Sequence, residues 1–113
     1  MVYTEKLVLY VPCYAWDGEK LIDIDYRSFE VDLYEAFEQI GLVSWSCQHS
    51  RGVFKGREYD QETLTIFSDE TLKSNIIAEF KRLLKIYHSE LRQEAYAYED
   101  NNSLVIIEGG ALS

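Results

Sequence analysis

Proline occurs once in 113 residues, cysteine twice, and no apolar run approaches the length of a membrane span. With only Pro12 to interrupt it, the chain can form long regular elements. Cys13 and Cys47 allow one disulfide at most, too few for a small secreted scaffold held by cross-links. Basic side chains are also scarce, eleven against twenty acidic ones, for a formal charge of -9. That balance repels phosphate and anionic lipid, so direct nucleic-acid binding and a membrane role are set aside. The apolar stretch in VYTEKLVLYV is too short to cross a bilayer and lacks the basic flank and cleavage site of a secretion signal. A cytoplasmic protein with reduced cysteines is expected.

What is present is the composition of a folded domain: 47% apolar and 14% aromatic residues, with no low-complexity segment. The length suits a single domain, read as residues 1–108 with a flexible tail over 109–113. The run KLVLYVP (6–12) is β-branched and aromatic and stops at the proline, as a central strand does. Asp17-Gly18 marks a turn. Tyr26, Phe29, Leu33, Ala36, Phe37 and Ile40 recur at helical spacing, with Asp25 as N-cap and Gly41 as terminator.

Val43, Trp45, Cys47 and His49 alternate with polar residues, and Leu64 and Ile66 do the same beyond the turn, giving a hairpin. Ser68 is the expected cap of a second helix with Leu72, Ile76, Phe80, Leu83, Leu84 and Tyr87 as its buried stripe. QEAYAYED and SLVIIEG read as a last hairpin about Asn101-Asn102. The order predicts an α+β fold of the ferredoxin-like split βαβ kind (βαββαβ) with an extra C-terminal edge strand. Right-handed crossovers put both helices on one face of an antiparallel sheet. Leu33, Phe37, Ile76 and Phe80 are the expected core.

GLVSW, GVFKGREYDQETLTIF and LRQEAYAYE resemble the pattern of uncharacterised small ferredoxin-like α+β proteins of bacteria and phages. The matching positions are Gly52, Phe54, Gly56, Glu58, Leu64, Ile66, Gln93 and Glu94, over about the last two-thirds of the chain. The resemblance implies the fold and no activity.

The glycines and cations of RGVFKGRE suggest a phosphate loop, but such loops lie between a strand and a helix, and strand chemistry follows here. The turn reading is preferred, with Gly52 and Gly56 serving a loop or bulge. The topology gathers Trp16, Arg51, Lys55, Arg57, Glu58 and Gln93 at one end of the sheet, where mixed charge beside an aromatic suits a binding edge or an ordinary solvated loop. Cys47 and His49 share a strand face, the only pairing that hints at a nucleophile with its base, but no orienting third residue is evident. Cys13, Cys47, His49 and His88 lack the spacing of a structural zinc site, so no metal is assigned.

The Ala/Tyr alternation in EAYAYE sends Ala95 and Ala97 to one face and Tyr96 and Tyr98 to the other. The tyrosines are expected on the open side with Tyr10 and Phe67, where they serve self-pairing, a ligand, or a half-buried packing role. Glu30, Asp32, Glu35 and Glu38 make the first helix acidic, as a docking face or a merely solvated one.

The leading expectation is a small, acidic, non-enzymatic interaction protein, an inhibitor or accessory factor of phage or mobile-element type. Its acidic helix and its Trp16 to Glu58 edge would meet a partner protein with a basic surface. The second is a dimeric ferredoxin-like ligand-binding protein or small enzyme with a pocket on the open sheet face, using Cys47 and His49 or the Arg57 and Glu58 edge. No catalytic set and no cofactor are assigned.

Overall fold

The computed structural model describes residues 2–42 and 44–112. Strand β1 (Glu5–Pro12) is followed by a short hairpin, β2 (Tyr14–Asp17) and β3 (Lys20–Asp23), then by helix α1 (Arg27–Gln39). A long hairpin of β4 (Ser46–Phe54) and β5 (Arg57–Ser68) leads to helix α2 (Glu70–Leu91). Strands β6 (Ala95–Asp100) and β7 (Ser103–Glu108) and a 3₁₀ turn (Gly109–Leu112) complete the chain. The main sheet is antiparallel with five strands in the order β4-β5-β1-β6-β7, and β2-β3 forms a separate two-stranded sheet. The fold is mixed α+β. No helix among the described residues is long and apolar enough to cross a membrane.

β1 is central because its apolar run can be paired on both edges, by β5 over its full length and by β6 over Leu7 to Leu9. Alternation then sends Leu7, Leu9 and Val11 into one core with Leu64 and Ile66 of β5. Phe29, Leu33 and Phe37 of α1 and Ile76, Phe80 and Leu84 of α2 fill the same cluster. The four residues expected in the core, Leu33, Phe37, Ile76 and Phe80, are fully buried. Phe29 meets Phe80 edge-on at 6.1 Å between ring centroids, which ties the two helices together.

Turn chemistry explains both hairpins. Lys55 and Gly56 at the β4–β5 tip, and Asn101 and Asn102 between β6 and β7, all take positive φ, the conformation a two-residue hairpin turn demands. Gly52 differs from expectation: it lies within β4 opposite Tyr59, and a Cβ there would come within 3.1 Å of the Gln61 side chain.

Tyr26 rather than Asp25 is the N-cap of α1 and makes no side-chain capping bond; Asp25, one residue earlier, accepts from the Ser28 amide and hydroxyl, and Gly41 follows the helix end with φ +91. The cap of α2 is Asp69, which accepts from the Leu72 amide at 2.7 Å, rather than Ser68. Ser68 instead ends β5, buried, because strand pairing to Glu5 holds it one residue short of the helix.

Further differences follow from local pairing. The segment after Pro12, in which only the Asp17-Gly18 turn was expected, closes on itself as β2-β3 around Gly18. Of the residues read as the start of the second strand, Trp45 precedes β4 and packs on the core, while Val43 lies outside the described residues. The segment expected as a tail forms the 3₁₀ turn, in which the Gly109 amide donates to the Glu94 carbonyl at 2.7 Å; Ser113 lies outside the described residues.

Candidate functional site

Since Leu7, Leu9 and Val11 enter the core, Tyr10 and Pro12 emerge on the opposite face of the sheet. Register puts Thr63 and Gln61 of β5 beside them, and Gln48 and Ser50 of β4 beyond. On the other flank the same face carries Ala95, Ala97 and Glu99 of β6, opposite Glu108, Ile106 and Leu104 of β7. The two alanines leave space that larger side chains would fill. A cavity of about 550 Å³ results, within the size range of small-molecule sites.

The cavity has a polar floor and an apolar rim. Tyr10 donates its hydroxyl to Glu99 Oε2 at 2.8 Å, and burial, then this bond, pushes the phenol up to about 12. Ser50 and Thr63 share a short hydroxyl contact across the β4–β5 ladder. Glu99 is the one carboxylate among the described lining residues. Leu104 and Ile106 are exposed at the margin, 60% and 41% accessible.

Of the tyrosines expected on this face, Tyr96 and Tyr98 turn their side chains to the other side. Tyr98 stands across from Leu9 and Tyr96 follows two residues earlier, so both enter the core, 5% and 3% exposed. The Tyr96 hydroxyl contacts His88 Nδ1 at 2.7 Å. The alternation was sound, but its sense was inverted: the alanines make room for the cavity and not for the helices. Tyr10 lines the cavity, and exposed Phe67, paired with Lys6, shares its face.

At the end of the long hairpin, Trp16, Arg51, Arg57 and Glu58 do come together. The Trp16 indole donates to the Glu58 carbonyl at 3.1 Å, the Arg57 guanidinium lies 5.1 Å from the Trp16 ring centre, and Arg51 pairs with Asp60 at 3.4 Å. Lys55 binds Glu94 at 2.6 Å. Gln93 is buried, its amide donating to the Tyr14 and Leu91 carbonyls, so it anchors β2 to the end of α2.

The Cys47 thiol donates to Glu62 Oε2 at 3.0 Å. Burial first, then this carboxylate, pushes the thiol up to about 11, the reverse of an activated nucleophile. His49 lies 3.9 Å from both Asp60 and Glu62, which accounts for its orientation without a catalytic partner. The acidic face of α1 is also interrupted. The Tyr87 hydroxyl donates to Asp32, Glu30 is half-buried with Oε2 lacking a hydrogen-bond partner among the described residues, and only Glu35 and Glu38 stand in solvent.

Fold and cavity together define a small α+β protein with a ligand-sized pocket on a sheet face. No protein-family model and no curated protein sequence matches the chain. Solved structures do share its fold. A phage SAM lyase in the apo state superposes with a TM-score of 0.53 at 16% identity, over 92% of this chain and 86% of that one. A phage SAM lyase in complex with S-methyl-5'-thioadenosine gives 0.53 at 15% identity, over 92% and 87%. The shared fold is thus one that an enzyme uses, which corrects the expectation of a non-enzymatic inhibitor drawn from charge and composition. The inward engagement of Glu30 and Asp32 removes half of the acidic face on which that expectation stood.

Proposed function

We propose that the chain is a small enzyme that binds a sulfonium or thioether nucleoside of the S-adenosylmethionine and S-methyl-5'-thioadenosine class in the cavity over Ala95 and Ala97. The observation that carries the reading is the cavity itself, large enough for a nucleoside and floored by Gln48, Gln61, Thr63, Tyr10 and Glu99. The fold likeness to a phage SAM lyase supplies the ligand class. The arrangement is read as the ferredoxin-like split βαβ, with β7 as the added edge and both helices on one face, supported by β1 lying between β5 and β6.

The chemistry suits a lyase. A sulfonium carries positive charge, and the Glu99 carboxylate attracts it inside a partly desolvated site. When the carbon–sulfur bond breaks, the bonding pair passes to sulfur to leave a neutral thioether, while the substrate's own carboxylate oxygen forms the new bond to the departing carbon and closes it as a lactone, so no outside nucleophile is needed. The Tyr10 phenol, kept protonated, orients Glu99 by donating to it. Self-association belongs to the same proposal, since exposed Leu104 and Ile106 border the cavity and a second copy would close it from water.

Isothermal titration of the purified chain with S-methyl-5'-thioadenosine and with S-adenosylmethionine, with chromatographic product analysis for the latter, tests the reading. Binding is expected, weakened at least about tenfold by Ala97→Leu, which fills the cavity from its floor. Glu99→Gln is expected to reduce turnover of the sulfonium by about 100-fold or more, the scale of losing a preorganised electrostatic group. A chain that binds neither compound, or an Ala97→Leu variant that binds both unchanged, overturns it.

A further inference from the structure

The opposite face of the same hairpin carries a second group of side chains. Glu62 lies between Gln61 and Thr63 in β5, so it points away from the cavity, beside His49, its partner in the β4–β5 ladder. Cys13, just beyond β1, is held there because its amide donates to the Asp60 carbonyl at 3.1 Å. The sulfur, ring-nitrogen and carboxylate atoms of Cys13, His49 and Glu62 all lie within 4.8 Å of one another. The same holds for Glu30, Cys47 and Glu62. Two triads from four parts of the chain thus converge on one carboxylate.

We propose that this cluster is a binding site for a zinc-class divalent cation, centred on Glu62, with Cys13 and His49 as its sulfur and nitrogen ligands and Cys47 and Glu30 adjoining. The donor set selects the metal class: thiol sulfur, imidazole and carboxylate suit zinc and its neighbours, whereas calcium and magnesium take oxygen alone. Spacing in sequence hides the site, since the ligands are brought together by β-pairing and by the loop after Pro12.

Two independent features point the same way. Glu30 Oε2 is buried with no hydrogen-bond partner among the described residues, although it belongs to a triad. Two carboxylates, Glu30 and Glu62, also stand against the thiols in the same cluster, and the Cys47 thiol donates to Glu62 Oε2 at 3.0 Å. A divalent ion meets both needs, with release of protons from the thiols it binds. His49, with its side chain 57% exposed, leaves an entry path from solvent.

The test uses the full chain without an affinity tag, stripped by chelator and titrated with Co²⁺ as the spectroscopic substitute for Zn²⁺. A near-ultraviolet thiolate-to-cobalt band is expected, saturating at one ion per chain and bleached by added Zn²⁺. Glu62→Gln is expected to abolish the band. His49→Ala, at an exposed strand position where folding is safe, is expected to weaken affinity for both ions at least about tenfold. Absence of a thiolate band in the parent chain overturns the proposal, as does a band that both variants keep with the affinity of the parent chain. The readout is metal binding alone, so it stands or falls apart from the nucleoside pocket.

Discussion

Tyr98 lies directly across from Leu9 in the β1–β6 ladder, and its ring meets Phe80 edge-on with centroids 6.2 Å apart. Two consequences follow. The aromatic face of β6 is bound to α2, and each ring removed leaves a void beside the other. Phe80→Ala is expected to cost about 3–5 kcal/mol in urea unfolding. A double-mutant cycle of Phe80→Leu with Tyr98→Leu should give a coupling of about 0.5–1.5 kcal/mol. Additive losses would mean that the two rings do not interact.

Gly109 separates close packing from open surface. A Cβ at this position would stand 2.4 Å from the Gln93 carbonyl oxygen and 3.0 Å from that of Glu94, both backbone atoms that cannot move aside cheaply. Gly109→Ala is expected to lower stability by about 1–3 kcal/mol, the usual range for overpacking. Gly110→Ala, where a Cβ meets nothing within 4 Å, should leave the denaturation midpoint unchanged. Equal midpoints for the two variants would contradict the docking of the 3₁₀ turn against the start of β6.

The half-buried Glu30 carboxyl is raised above its usual value of 4.5, first by burial and then by Glu62. A carboxyl raised in the folded state destabilises once ionised, so its cost is present at neutral pH and disappears as pH falls through the raised value. Glu30→Gln is therefore expected to raise the melting temperature at pH 7 in the presence of chelator. The gain should vanish at pH 3, well below the usual carboxyl value, where both states of the parent carry a protonated carboxyl. A gain of the same size at both pH values would remove ionisation as its cause.

Much of this fold was legible because it rests on local periodicity. Phe29, Leu33 and Phe37, and Ile76, Phe80 and Leu84, are spaced as helix faces must be, and all are buried. Asn101 and Asn102 announce a turn that only positive φ can make. What the chain order could not settle was sense. Alternation states that Tyr96 and Tyr98 oppose Ala95 and Ala97, but which pair faces the helices depends on the register of β6 with β1, a contact between residues about 90 positions apart.

The site was harder to read for the same reason. Ala95 and Ala97 have no functional groups, and they matter only as space beside Tyr10 and Thr63, which come from two other strands. A usable signal was present nonetheless: small residues alternating with large ones in a strand mark a face where volume is withheld. Likewise Cys13, His49 and Glu62 lie far apart along the chain and become neighbours only once β5 has paired with both β1 and β4.

β5 carries Gln61 and Thr63 toward the cavity and Glu62 toward the cysteines, while Leu64 and Ile66 stay in the core. A strand used on both faces tolerates changes of side chain one at a time but not changes of length. Inserting or deleting one residue between Asp60 and Leu64 would exchange the two faces over half the strand, sending Glu62 into the cavity and a cavity residue toward the thiols. Evolution along this segment is therefore confined to substitution, and an insertion scan should find β5 intolerant even where every single replacement is accepted.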